Sequence, residues 1–277
     1  MSAMKFGIST FVTDEGIAPA PLARAIEERG FDSLFIAEHT HIPASRKSPY
    51  PGGGDLPEKY YRTLDPFVTL TAAAGATERL LLGTGVALMI ERDTITTAKE
   101  IASLDLVSGG RFLFGIGVGW NREEMANHGT DPRTRGKLLD EQIRAMREMW
   151  TKEQAEFHGD FVDFDPIYAW PKPVQKPHPP IYVGGGEAAF ARIEEYGDAW
   201  LANGLPPEKL EPILEKMRQQ TSREVPTTVF GASSKPEALE GYAKLGVERA
   251  LLMLPTLPER ETLQKLDELA EVTAAYA

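Results

Sequence analysis

The residues best suited to chemistry in this chain are a histidine beside a carboxylate and three sets of glycines. His39 follows Glu38 at the close of the apolar run Ser33–Ala37. An imidazole in that position can donate or take up a proton near neutral pH. It can equally do no more than fix its own loop, and Glu38 can either tune it or pair with an arginine from a neighbouring strand. The glycines fall at Gly83 and Gly85, at Gly115, Gly117 and Gly119, and at Gly184, Gly185 and Gly186. A residue without Cβ lets a flat ring or a phosphate approach the backbone to contact distance. A glycine turn ahead of a helix start, as at 184–186, also offers backbone N–H groups to a phosphate.

Other chemistries find less support. His39-Thr40-His41 has the spacing of a metal pair, but His128, His158 and His178 do not fall at strand ends, and the last strand closes without an aspartate. The 184–186 turn lacks the lysine and hydroxyl of a Walker A loop, the 115–119 glycines lack the spacing of a nicotinamide fingerprint, and no Gly-x-Ser-x-Gly elbow occurs. The chain has no cysteine, which removes disulfides, thiolate nucleophiles and thiolate-bound metals. Its net charge of −11, with no basic cluster, argues against nucleic-acid binding. No apolar run approaches the length of a membrane span, and the chain enters a strand pattern at Met4 with no leader ahead of it, so a cytoplasmic location is expected.

These residues need a scaffold that collects strand ends. Eight strand-like runs alternate with helical signals: Lys5–Phe11, Ser33–Ala37, Arg79–Leu88, Arg111–Val118, Pro180–Gly184, Ala199–Asn203, Thr227–Ala232 and Arg249–Leu254. Several are continuous apolar runs, as expected of strands buried on both faces of a parallel sheet. Between them, Pro21 to Arg29 reads as an amphipathic helix stopped by Gly30, Asp65-Pro66 as a helix cap, and Leu139, Ile143, Met146 and Trp150 recur at helical spacing. Ser234 with Glu237 reads as a capping box. Eight such units predict a (β/α)8 barrel, here one domain over residues 1–277, in preference to a doubly wound sheet. Two connections exceed barrel turns, 40–64 after strand two and 151–179 between strands four and five. Each is expected to be a binding loop or a subunit contact.

The segment from Ala98 to Arg111 running into Gly115-x-Gly117-x-Gly119-Trp120 resembles the luciferase-like monooxygenase superfamily. Phe31–His39, Leu82–Val86, Pro179–Gly185 and Gly197–Trp200 resemble its second, third, fifth and sixth strands. Compact length and these motifs are most similar to its F420-dependent oxidoreductase branch. The resemblance implies a homodimeric (β/α)8 enzyme that moves a hydride between the C5 atom of a deazaflavin and a small organic substrate. It implies a non-proline cis peptide at Gly85–Val86 behind the ring. His39 and Glu38 would lie at the reacting centre. Thr10, Gly85, Val86, Gly117, Gly119 and Trp120 would border the cofactor, and Gly184, Gly185 and Gly186 its phosphate. One branch carries glutamate where this chain has Trp120, which speaks against a sugar-phosphate substrate. The alternatives are an FMN-dependent two-component monooxygenase and a flavin- or F420-binding protein without turnover.

Overall fold

The computed structural model describes residues 4–276. Eight parallel strands close into a barrel: β1 (Lys5–Thr10), β2 (Ser33–Ile36), β3 (Leu81–Thr84), β4 (Phe112–Ile116), β7 (Ile181–Gly184), β8 (Ala199–Asn203), β9 (Thr227–Ala232) and β10 (Arg249–Met253). The remaining strands, β5 (Ala155–His158) and β6 (Asp163–Ile167), form a separate antiparallel hairpin. Helices α1 (Pro19–Glu28), α2 (Pro66–Ala74), α3 (Thr94–Val107), α4 (Arg122–Asn127), α5 (Arg135–Thr151), α6 (Phe190–Glu195), α7 (Pro207–Gln220), α8 (Pro236–Lys244) and α9 (Glu259–Ala274) alternate with the barrel strands.

The strands bury both faces because two cores need them. Phe35, Leu113, Tyr182, Leu201 and Leu251 point inward and fill the barrel. Their neighbours Leu34, Ile36, Phe112, Phe114 and Leu252 point outward and pack beneath the helices. A period of two with apolar residues on both phases leaves the continuous runs seen in the sequence. Inside the barrel, a Cβ on Gly83 would stand 2.5 Å from the Phe35 ring, so that glycine makes room for an aromatic residue of the core.

Several local expectations hold in detail. Asp65 accepts the Val68 N–H at 2.9 Å and caps α2, whose first residue is Pro66. α5 buries Leu139, Ile143, Met146 and Trp150. Gly30, with φ of +81°, ends the turn after α1. The capping box at Ser234 and Glu237 does not form: α8 opens at Pro236 with Lys235 in the cap position and no side-chain cap. Proline's fixed φ and missing N–H suit the first helical position, which leaves Ser234 one residue outside the turn.

The third strand is shorter than the run Arg79–Leu88 suggested. Regular pairing stops at Thr84, and the peptide Gly85–Val86 is cis. The backbone beyond remains tied to its neighbours, with Gly85 N–H donating to Ile36 O at 2.7 Å and Ala87 N–H to Gly115 O at 2.7 Å.

Candidate active site at the C-terminal mouth of the barrel

Strand ends and loops enclose a cavity of about 490 Å³. His39, Gly85, Val86, Gly117, Gly119, Trp120, Gly184 and Gly185 all border it, as does Glu38. A larger cleft of about 670 Å³ lies outside, between α7 and α8 near Pro207, Gly241 and Tyr242. Volume alone does not choose between them. The mouth cavity is the one bordered by the buried His39 side chain and by the ends of all eight barrel strands.

The floor is not the bare backbone that the glycine pattern suggested. A Cβ on Gly117 would lie 2.6 Å from Val86 Cγ2, and one on Gly184 would lie 2.7 Å from Val86 Cγ1. These two glycines seat the Val86 side chain, which forms an apolar platform between strands β4 and β7. Gly119 has a different reason, since its φ of +64° turns the loop after β4 toward α4. The structure thus fits a flat ring resting on Val86 with glycine backbone on either side. Gly186 is exposed beyond the cavity edge, at the start of a single 3-10 turn, while Gly185 receives the Trp200 indole N–H on its carbonyl at 2.8 Å.

Thr10 is placed differently from the expectation. Its side chain is buried and its hydroxyl donates to Leu254 O at 2.9 Å. It faces a small cleft beside Ile17 and Leu257 and not the mouth cavity. The hydroxyl is used to seal the joint between β1 and the chain after β10.

His39 and Glu38 also separate. Adjacent residues at a strand end point to opposite sides. Glu38, buried, receives the Arg92 Nε–H at 2.7 Å and the Leu88 N–H at 2.6 Å. Burial raises its carboxyl above the ordinary carboxylate value, against the opposing pull of Arg92. The arginine comes from the turn after β3. Of the two roles open to Glu38 in the sequence, the structure displays the ion pair. The carboxylate that meets His39 is Glu124, fully buried on α4, with its Oε2 2.8 Å from His39 Nδ1. The Thr40 N–H donates to the other Glu124 oxygen at 3.0 Å. The His39 side chain is only 7% exposed, and its ring meets Tyr60 and Trp120 at centroid distances of 5.1 and 5.8 Å.

The long segment after β2 covers this arrangement. Tyr50, Lys59 and Tyr60 reach the cavity, and Tyr60 donates its hydroxyl to Tyr50 at 3.4 Å. Burial and the neighbouring Tyr50 raise the Tyr60 phenol well above its ordinary value. Lys59 lies with Nζ 4.6 Å from the centre of the Phe11 ring, and burial lowers its ammonium pKa. The segment is fastened at both ends: Ser48 meets Glu123 and the Arg122 N–H, and Arg62 grips Asp14 with two hydrogen bonds of 2.8 and 2.9 Å. The 151–179 segment contributes nothing to the cavity. It folds as the β5–β6 hairpin over α5, where Glu141 accepts the N–H groups of Asp160, Phe161 and Val162.

A closed parallel barrel with a buried imidazole–carboxylate pair at its C-terminal mouth has the build of a barrel enzyme. The chain belongs to the luciferase-like monooxygenase family, whose family profile, described as "Luciferase-like monooxygenase", matches residues 18–228. It is 41% identical over 276 residues to the uncharacterized protein Rv0953c of Mycobacterium tuberculosis, covering 96% of this chain and 98% of that one. It is 32% identical over 129 residues to the FMNH2-dependent dimethylsulfone monooxygenase of Pseudomonas putida, covering 45% of this chain and 36% of that enzyme. In fold it is similar to an F420-dependent secondary alcohol dehydrogenase solved with an F420–acetone adduct, with a TM-score of 0.76, 17% identity and both chains covered in full. The proteins it resembles thus include an FMNH2-dependent monooxygenase in sequence and an F420-dependent dehydrogenase in fold.

Among the described residues no helix is long and apolar enough to cross a membrane.

Proposed function

We propose that this protein is an F420-dependent oxidoreductase acting on a small organic alcohol or carbonyl compound. The observation that carries the reading is His39. It is buried at the edge of the mouth cavity, its Nδ1 is engaged by Glu124, and its other nitrogen is left for a ligand over Val86. When bound, a deazaflavin supplies a two-electron hydride acceptor or donor. The protein supplies position and proton handling. Val86, between Gly117 and Gly184, carries the flat face of the ring. Gly185 and Gly186 border the phosphate end. His39 Nε2 gives a proton to a substrate oxygen or takes one from it. Tyr50, Tyr60 and Trp120 exclude water from that point.

Glu38 acts at one remove. Its ion pair with Arg92 and its hydrogen bond to Leu88 N–H brace the turn that follows the cis peptide. It is a positioning residue in this reading and does not touch substrate. A homodimer is supported by apolar side chains exposed on adjoining helices, Val68 on α2 and Ile95, Leu106 and Val107 on α3.

The F420 reading is supported by correspondence in fold with the alcohol dehydrogenase along both chains, and the FMN-dependent relative aligns in sequence over a shorter stretch, 45% of this chain. The higher identity of that shorter match supports the second reading, a monooxygenase using reduced FMN. Fluorescence titration of the purified protein with F420 and with FMN separates them. Micromolar binding of F420 is expected, and micromolar FMN binding without F420 binding overturns the choice. A protein that binds F420 yet never reduces it with a broad panel of alcohols, nor oxidises its reduced form with carbonyl compounds, is a binding protein only.

A further inference from the structure

Behind His39 lies a second buried carboxyl that no ion pair neutralises. Glu91, in the 3-10 turn Met89–Glu91, has a side chain only 1% exposed, and Glu124 on α4 has none of its side chain exposed. The turn that carries Glu91 packs against α4, and the charge of Glu124 acts on the Glu91 carboxyl. Two ionised carboxylates in that position would repel in a poorly solvated space, and two carboxylate oxygens cannot hydrogen-bond each other without a proton. The nearest permanent cation is Arg92, and its donors go to Glu38, Asp65 and Glu100. The other groups facing the pair are His39 on one side and His128 on the other.

Glu91 also reaches toward His128. Its Oε2 is buried without a hydrogen-bond partner, and the nearest imidazole nitrogen, His128 Nε2, stands 4.0 Å away. The His128 side chain is 30% exposed, so its ring can both close that gap by a small rotation and exchange protons with water. Thr40 ties the two ends together, with its N–H on Glu124 at 3.0 Å and its hydroxyl 2.7 Å from His128 Nε2. His41 extends the row at the surface, with Nδ1 2.9 Å from the same hydroxyl.

We propose that Glu124, Glu91 and His128 form a proton relay connecting His39 in the cavity to solvent on the outer face of the barrel. The proposal rests on the reading of His39 as the group that exchanges a proton with substrate. In the direction that removes a proton from an alcohol, His39 accepts it at Nε2 and releases its Nδ1 proton to Glu124. Glu91 releases its own proton to His128, which passes it to water. Each N–H or O–H bond that breaks is matched by one that forms at the next group, no electrons move along the row, and the carboxyl pair still holds one proton at the end. The opposite direction runs the same steps in reverse. Burial, then the charges of Glu124 and Glu38, push the Glu91 carboxyl up to about 9, which agrees with a proton residing on the pair at neutral pH. Burial and the neighbouring His41 lower His128 below the ordinary imidazole value, so it gives up a proton readily to water. At the end of these steps His39 carries its proton on Nε2 and Glu124 holds the proton of the carboxyl pair, so the reverse step, which gives the Nε2 proton to a substrate oxygen, returns the row to its starting state.

The test needs no identified substrate. Infrared difference spectra of the cofactor-free protein between about pH 7 and about pH 10.5 should show loss of a buried protonated carboxyl band. That band should be absent in Glu91→Gln, which keeps a hydrogen-bond donor but cannot pass a proton. With 15N-histidine labelling, exchange of the His39 Nδ1 proton with deuterated water should slow about tenfold in Glu91→Gln and in His128→Gln. His128→Gln is the control for folding, since the substitution lies at the surface. The measurement is made with and without bound F420. Slowing in the empty protein but no F420 binding would refute the proposed cofactor and leave the relay standing. An infrared spectrum without the carboxyl band, or exchange unchanged in both variants, overturns the relay.

Discussion

At the N-terminal end of the barrel, charges are matched donor to acceptor. Arg249, only 2% exposed, donates to Asp32 at 2.9 Å and to the Tyr182 hydroxyl at 3.2 Å. Arg111 spends its whole fork on Ser108 O, Thr77 and the carbonyls of Ala74 and Leu80. Asp198 accepts the Ile181 N–H. At the C-terminal end the balance is broken. Glu38, Glu91 and Glu124 are all buried around Arg92, and His39 is the remaining group able to take up a charge inside that space. The barrel therefore gives the charges at its base fixed hydrogen-bonding partners and gathers buried carboxyls around a single arginine at its mouth. A buried charge with a permanent partner fixes structure, whereas a buried carboxyl whose partner can titrate is a device for chemistry.

The sharpest way to break this contrast is at His39. His39→Ala should lower turnover by about 100- to 10,000-fold, the usual range for a general acid or base, while F420 affinity changes by less than about threefold. Steady-state kinetics with F420 binding measured in parallel checks it. Unchanged turnover would remove the distinction between the two ends.

The opposite end should respond in stability and not in chemistry. Arg249→Met leaves Asp32 without its cation beside the Tyr182 hydroxyl, at a cost of about 2–4 kcal/mol in denaturant unfolding. The fraction that remains folded should bind cofactor with wild-type affinity. A loss of affinity larger than the loss of stability would show that the base of the barrel communicates with its mouth.

The fold was legible because each barrel strand carries apolar residues on both phases, and eight such runs have few architectures open to them. His39 was legible because a titratable residue directly after a buried strand stands out. Its partner was not. Glu124 sits in the first turn of α4, where a glutamate ordinarily reads as a surface residue favoured by the helix dipole. Only the three-dimensional path of the loop after β4 turns it inward. Arg92 and Glu91 follow β3 in a short 3-10 turn that has no period to detect. The β5–β6 hairpin was missed for a similar reason: Glu156, Asp163 and Asp165 are exposed, and neither strand shows the apolar run that marks the barrel. The glycine spacing marks these positions as important, but the reason for Gly117 and Gly184 lies in Val86, a contact between strand ends that the sequence does not announce.

That contact gives a smaller and more specific prediction. In Gly117→Ala the new methyl would fall 2.6 Å from Val86 Cγ2, so the platform must shift. Overpacking of this kind costs about 1–3 kcal/mol, and roughly a tenfold loss of F420 affinity is expected. Adding Val86→Ala should recover part of the stability, because the colliding atom is a side chain that can be removed. At Gly115 the obstacle is the backbone carbonyl oxygen of Thr84, 1.8 Å from an added Cβ, and trimming a side chain offers no such relief. If the Gly117→Ala protein is not rescued by the second change, the platform is not what the glycine serves.

The remaining comparison sets the two ends against each other by pH. The Glu91 carboxyl is raised to about 9 in the folded protein from an ordinary carboxylate value in the unfolded chain, through burial and the charges of Glu124 and Glu38, with Arg92 opposing and His128 4.0 Å away. Below the unfolded value both states carry the proton, and Glu91 places no pH-dependent load on stability. As pH rises beyond it, the unfolded chain releases a proton that the folded protein keeps, so stability declines until the folded carboxyl also ionises near 9. Glu91→Gln removes this titration. Its stability relative to the wild type should rise between about pH 5 and about pH 8, by up to about 1.4 kcal/mol for each pKa unit of the shift crossed in that interval that survives coupling to Glu124. Arg249→Met should show no such change in slope over the same interval, since an arginine stays charged throughout. Parallel urea unfolding at both pH values reads the comparison directly, and equal slopes for Glu91→Gln and wild type would mean that the carboxyl pair carries no shared proton and that the mouth is as electrostatically settled as the base.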